Sequence, residues 1–255
     1  VDIFEEITLV KKTGIRAMLA TVIESIGSAP GKPGTRMIIK ADGETVGTIG
    51  GGAVEKIITE AALESIQGTE TKVIHYKLED LGMACGGGMS IFLEPLISAP
   101  DLIIFGAGHI GSALSRIGSL LGFTTTVVDS RDEFANRERL SWANRVIAED
   151  YQQALKQLSF KDTSYLVILT HRHANDFEIL EYCIKKPFYY LGMIGSRKKV
   201  ATAFQRLREK GMSEESIKRV HAPIGISIGA ETPEEIAVAI AAQLIAVRSG
   251  TEITE

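Results

Sequence analysis

Five short stretches carry residues that can bind or react, and in four of them these stand beside glycine. LGMACGGGMSIFLEP (81–95) sets Cys85 directly before Gly86, Gly87 and Gly88, and TIGGGAVE (48–55) carries Gly50, Gly51, Gly52 and Glu55. FGAGHIG (105–111) holds Gly106, Gly108, His109, Ile110 and Gly111. THRHAND (170–176) holds His171, His173 and Asp176, and GSRKK (195–199) holds Ser196, Arg197 and Lys198. A thiol before a glycine run is either a small buried hydrophobe at a tight turn or a group that touches a ligand enclosed by backbone N–H donors. GxGxxG between a strand and a helix suits a pyrophosphate: Gly106 makes the turn, Gly108 admits the ligand, and Gly111 lets the helix lie close to the sheet. Asp129 ends the next strand about 20 residues on, where a carboxylate can meet a ribose hydroxyl. Two histidines one residue apart with a carboxylate can hold a metal. They can equally hydrogen-bond phosphate or ribose, with Asn175 or Asp176 capping a helix. Ser196, Arg197 and Lys198 at a helix start can hold an anionic oxygen. Glu55 either caps backbone N–H groups or acts on a ligand. A further loop, SAPGKPGTR (28–36), adds Lys32 and Arg36, and the three front loops together can form a pocket for an anion.

The elements that must position these residues fall into two patterns. Up to residue 97, a helix is expected from the spacing of Ile3, Phe4, Ile7 and Val10. Strands are expected at 17–25 and 35–40, with Asp42-Gly43 turning the second into a hairpin. A helix at 54–66 and strands at 72–76 and 90–94 follow. His75, in a strand, reads as structural, and Cys183, in ILEYCIKK, reads as buried packing. From residue 98 to 255, apolar strands at LIIF, TTTVVD, SYLVILT and FYYLGMIG alternate with helical stretches, which implies parallel βαβ units. Thr232, Pro233 and Glu235 mark the start of a last helix that runs to about Arg248. Two domains, 1–97 and 98–255, are therefore expected.

Composition narrows the function. The 255 residues are 45% hydrophobic and 24% charged with a net charge of −4, which lacks the basic face a duplex nucleic-acid binder needs. No apolar run of about 18 residues is present, so no integral membrane span is expected. The start, VDIFEEITLVKKTG, lacks the basic n-region of a signal peptide. The two cysteines, far apart, make no disulfide framework, which suits a cytoplasmic protein.

In order along the chain, SAPGKPGTRM, GTIGGGAVE, CGGGMSIFLEPL, FGAGHIG, VVDSR, THRHAND, YYLGMIGSRKK and HAPIGISIGAETPEEIA resemble the XdhC/CoxI family of xanthine dehydrogenase accessory factors. The resemblance implies an N-terminal mixed α/β domain of XdhC/CoxI type and a C-terminal Rossmann-like parallel sheet. It implies a protein that binds molybdenum cofactor (molybdopterin, in some bacteria a dinucleotide) as cargo. Such a protein supports exchange of an oxo for a sulfido ligand with a cysteine desulfurase, and delivers the cofactor to a xanthine dehydrogenase-type molybdenum hydroxylase of purine catabolism. It implies a maturation chaperone rather than a catalyst. Gly50–Gly52, Glu55, Cys85, Gly86, Gly87, the fingerprint residues 106–111, Asp129, Arg131, His171, His173, Asp176 and Ser196–Lys198 are then the candidate cofactor-binding residues. Cys85 is the one candidate for molybdenum contact or for carrying sulfur, since a thiolate is a soft ligand. The chain departs from the family where Ala53 stands in place of a frequent cysteine and Ser227 in place of a frequent acid. The competing classes are an NAD(P)-dependent oxidoreductase using the same fold and a scaffold that binds no nucleotide. A homodimer is expected because symmetric dimers are the commonest oligomers.

Overall fold

The structure, a computed structural model, describes residues 2–66, 68, 70–77, 87–171 and 173–251, with the side chains of residues 173 and 174 left aside. The chain forms two compact units, Val1–Ala99 and Pro100–Glu255.

The first unit begins with α1 (Ile3–Thr13), capped by the Asp2 carboxylate on the Phe4 N–H and closed by Gly14. Then come β1 (Ala17–Gly27), β2 (Arg36–Lys40), β3 (Thr45–Gly47), α2 (Gly52–Ser65), β4 (Lys72–Lys77) and β5 (Gly87–Pro95). The strands pair antiparallel in the order β3-β2-β1-β5-β4. The expected hairpin is present: Asp42 accepts the Glu44 N–H, and Ile39 pairs with Thr45. Side chains alternate across the sheet. Met18, Ala20, Val22, Met37, Ile39 and Ile91 pack on Val54, Ile58 and Ala62 of α2. Ala17, Leu19 and Ile38 face the other way, with Val10 of α1. A register shift between Val22 and Glu24 places Glu24 level with Ser90, which is itself level with His75. The Ser90 hydroxyl donates to Glu24 (3.0 Å) and meets His75 Nδ1 (2.9 Å). Because that hydroxyl has one proton, His75 must hold its own on Nδ1 and donate it.

The second unit runs β6 (Asp101–Phe105), α3 (His109–Leu120), β7 (Thr124–Asp129), β8 (Arg145–Ala148), α4 (Tyr151–Gln157), β9 (Tyr165–Ile168), α5 (His173–Cys183), β10 (Tyr190–Met193), α6 (Arg197–Glu209), α7 (Glu214–Lys218), β11 (Val220–His221) and α8 (Pro233–Ser249). All pairs are parallel, in the order β11-β10-β9-β6-β7-β8. Counting from β6, this is the 3-2-1-4-5-6 arrangement of a Rossmann sheet, whose order reverses between β6 and β9. Leu114 of α3 and Ala237, Ile240 and Leu244 of α8 pack with one face of the sheet. Leu155, Ile179, Cys183, Val200, Leu207 and Ile217 from α4 to α7 pack with the other. Cys183 is fully buried and free, and burial pushes its thiol far above the usual range. The last helix starts as its sequence demands: Thr232 and Glu235 form a reciprocal capping box with Pro233 in the first turn. The short strands β8 and β11 were not among those expected. No helix among the described residues is long and apolar enough to cross a membrane.

Candidate functional site

The order of the parallel strands fixes where a ligand can sit, because a crevice opens at the carboxyl ends where the strand order reverses. The fingerprint glycines lie there. A Cβ on Gly106 would stand 2.3 Å from the Leu169 carbonyl oxygen of the β9 turn, and one on Gly111 would stand 1.8 Å from the Gly106 oxygen. Those two positions are therefore packed backbone against backbone. Gly108 differs, since among the described residues nothing lies near its Cβ position and no side chain caps α3 after it. The first N–H groups of a helix have no partner within it, so the start of α3 presents donors and a positive dipole end toward that opening. His109 beside it is exposed, and Ile110 is partly buried against the core.

Asp129 reaches this turn from the end of β7, but not with a free carboxylate. One oxygen accepts from the Ala107 N–H (2.8 Å) and Arg131 Nη2 (2.9 Å). The other accepts from the Arg131 N–H (3.1 Å) and Nε (2.9 Å). Four donors fill a carboxylate's acceptor positions. Burial raises the Asp129 carboxyl, and the Arg131 guanidinium with the two backbone N–H groups outweighs it, leaving the group below the usual carboxylate range. Arg131 also lies over the Phe134 ring, 3.9 Å from its centroid. The residue placed by sequence to meet a ribose hydroxyl thus ties the glycine turn to Arg131.

Asp176 makes a matching staple on the other side of the switch point. It is fully buried and accepts from the Thr170 N–H (3.0 Å), the Thr170 hydroxyl (2.6 Å) and Lys199 Nζ (2.5 Å). Lys199 also donates to the Ile194 carbonyl (3.1 Å), so the β9 and β10 turns are held together. Sequence reasoning stopped at Ser196, Arg197 and Lys198 and missed Lys199, whose signal is its place three residues after the N-cap, beside buried Val200. Ser196 caps α6, accepting the Lys199 N–H, while Arg197 and Lys198 are exposed. Asp176, Ser196 and Lys198 come together along a cleft of about 340 Å³, where Arg206 adds positive charge and the Lys199 ammonium is matched by Asp176. His171 is exposed; the His173 side chain lies outside the described residues. Among the described residues no cluster of three metal-binding side chains occurs. Sequence reasoning also missed Tyr151, whose buried hydroxyl has no hydrogen-bond partner among the described residues. Burial raises its phenol far above the usual range, with Asp129 adding to the rise and Arg131 opposing it.

In the first unit, two of the three front loops meet. A Cβ on Gly31 would stand 2.1 Å from the Ile49 oxygen, and one on Gly50 2.7 Å from the Gly31 nitrogen. Gly51 and Gly52 hold left-handed φ of 79° and 63° and face open space. Glu55 turns back on this loop. One carboxylate oxygen accepts from the Thr48 hydroxyl (2.5 Å) and the N–H groups of Ile49 (3.1 Å) and Gly51 (2.9 Å). Burial raises the Glu55 carboxyl, and these hydrogen bonds bring it below its usual value. Gly87 opens β5, paired with Gly27. Cys85 and Gly86 lie outside the described residues.

Comparison with known proteins places this geometry in a family. Residues 102–244 match the XdhC Rossmann domain, and residues 10–77 match the XdhC and CoxI family. The chain belongs to the XdhC and CoxI family. Among relatives, YqeB of Escherichia coli K12, an uncharacterized protein, is 35% identical over 97% of this chain and 46% of its own length. A Bacillus subtilis relative, a probable xanthine dehydrogenase subunit, is 29% identical over 62% of this chain and 46% of its own length. The chain thus spans about half the length of these two relatives. The molybdenum cofactor insertion chaperone PaoD of E. coli K12 is 25% identical over 92% of this chain and 85% of its own length. A crystal structure of a xanthine dehydrogenase from Bacillus halodurans shares the fold, with a TM-score of 0.54, 24% identity, and coverage of 97% of this chain and 96% of that one.

Proposed function

We propose that this chain is a molybdenum-cofactor insertion chaperone that supplies a xanthine dehydrogenase-type molybdenum hydroxylase. The observation that carries the proposal is the start of α3 at the switch point, which among the described residues is uncapped and open at Gly108. Its N–H donors suit the phosphate end of molybdopterin or its dinucleotide. Membership of the XdhC and CoxI family and the relationship to PaoD support the cargo over a redox nucleotide. Lys198 and Arg206 along the neighbouring cleft add charge that favours an anionic cargo. His109, Ile110, Arg131, His171, His173, Ser196 and Arg197 belong to the same proposed site, at the edges of the crevice. The reading gives Gly50–Gly52, Glu55 and Gly87 the role of shaping the front loops. It keeps Cys85, with Gly86 beside it, as the thiol that handles sulfur from a cysteine desulfurase. A cytoplasmic place fits that partnership.

The test is reconstitution. Cofactor-free hydroxylase is incubated with molybdenum cofactor and desulfurase, with and without this chain. The proposal expects hydroxylase activity to rise at least about tenfold, roughly 1.4 kcal/mol of coupling, when the chain is present. Equal activity in its absence overturns the proposal. Parallel titrations with NAD(H) and NADP(H) are expected to show no tight complex, and tight binding of either favours the oxidoreductase reading.

A further inference from the structure

One surface of the second unit, which adjoins the proposed cofactor site only at His109, combines the features of an interface. On the outer side of α3 and α8 lies a shallow cleft of about 470 Å³. Leu120, at the end of α3, is 81% exposed, and Val238 of α8 is 50% exposed, both on this cleft. Ile245, two turns beyond Val238 on the same stripe of α8, is 41% exposed. Solvated helix faces do not need such a row.

The charges on the same cleft are of both signs. Arg116, Arg139 and Glu234 all line it, and none of the three makes an ion pair among the described residues. The arginines are held at the surface by aromatic rings: Arg116 lies 5.4 Å from the Trp142 ring and Arg139 lies 4.9 Å from the Phe134 ring. Trp142 is itself fixed by its Nε1–H on the Ser115 hydroxyl (2.9 Å). Exposed arginines and a half-buried tryptophan beside apolar side chains match the composition of interface hot spots.

We infer that this α3/α8 face is where two copies of the chain pair. A two-fold interface sets one patch against itself, so the patch must carry both partners of every ion pair. This one does, since Arg116 and Arg139 of one copy can meet Glu234 of the other. A partner with only acidic side chains would leave Glu234 facing like charge. The area also fits. With 12 and 17 residues, the helices run about 18 and 26 Å, long enough to supply the roughly 800 Å² per partner of a standard interface.

Sedimentation velocity of the full chain over a micromolar concentration series tests the inference. Wild type is expected to be a dimer. Leu120→Asp and Val238→Asp are each expected to weaken the dimer at least tenfold while the melting temperature holds. The charge reversal Arg116→Glu with Arg139→Glu is expected to weaken it as well, and adding Glu234→Arg to that variant is expected to restore pairing. A wild type that stays monomeric overturns the inference. A dimer that neither apolar substitution nor charge reversal weakens overturns it equally.

Discussion

The two glycine-rich turns that lead into α2 and α3 resemble each other in sequence and differ in how their backbone N–H groups are satisfied. Before α2, Glu55 reaches back from the first turn and accepts from Ile49 and Gly51. That loop therefore carries its own anion. Before α3 the carboxylate comes from a distant strand: Asp129 takes only the Ala107 N–H of the turn and spends its other positions on Arg131. The start of α3 keeps its donors. A glycine turn can serve as a ligand site only where no side chain of the protein already plays the ligand, and by that criterion the proposed phosphate-type site belongs to the second unit rather than the first.

Substitutions can break this contrast. The largest effect belongs to Gly111→Ala, whose Cβ would press on the Gly106 oxygen at 1.8 Å. Backbone on both sides cannot yield cheaply, so a loss of about 3 kcal/mol or more is expected in denaturant unfolding, and a near-native midpoint would contradict the packing described. Next is Asp129→Asn, expected to cost about 2 kcal/mol at neutral pH, because it removes charge-assisted hydrogen bonds from the turn and leaves Arg131 unmatched. The folded carboxyl sits below its ordinary value. Its contribution is therefore complete above the unfolded value of about 3.9 and is lost as pH falls through the lower folded value. Acid titration of stability should show wild type losing, below about pH 4, an increment that Asp129→Asn lacks.

A smaller effect sharpens the comparison. Glu55→Ala is expected to cost about 1 kcal/mol, as loss of a helix cap does, and to free the N–H groups of Ile49 and Gly51. The variant, unlike wild type, should then gain thermal stability from added sulfate. If sulfate shifts the melting temperature of both proteins equally, Glu55 is not serving as the loop's internal anion.

Much of this was legible because its cause is local. The Asp42-Gly43 hairpin, the Thr232–Glu235 capping box and the strand–GxGxxG–helix sequence each declare themselves within a few residues. What was not legible depends on partners far along the chain. Lys199 finds Asp176 across 23 positions, and Ser90 finds Glu24 across 66; no spacing rule joins such pairs. β8 and β11 are four and two residues long, too short for a period to register. Asp129 is expected at the end of the next strand, meeting a ribose hydroxyl, and its carboxylate instead accepts the Ala107 N–H of the glycine turn. Its engagement by Arg131, two residues on, needed the bend after β7, which brings the guanidinium back onto its own strand end.

The most direct test of the cofactor site is equilibrium binding of molybdenum cofactor to wild type and Gly108→Val, with thermal unfolding of both as the control. Gly108 has an extended backbone with φ of −64° and nothing within 4 Å of its Cβ position, so valine should fold without strain and place its methyl groups where the phosphate must approach. The expected result is an unchanged melting temperature and an affinity at least about tenfold weaker. Equal affinity in a folded Gly108→Val protein would contradict the assignment of the cofactor to the start of α3.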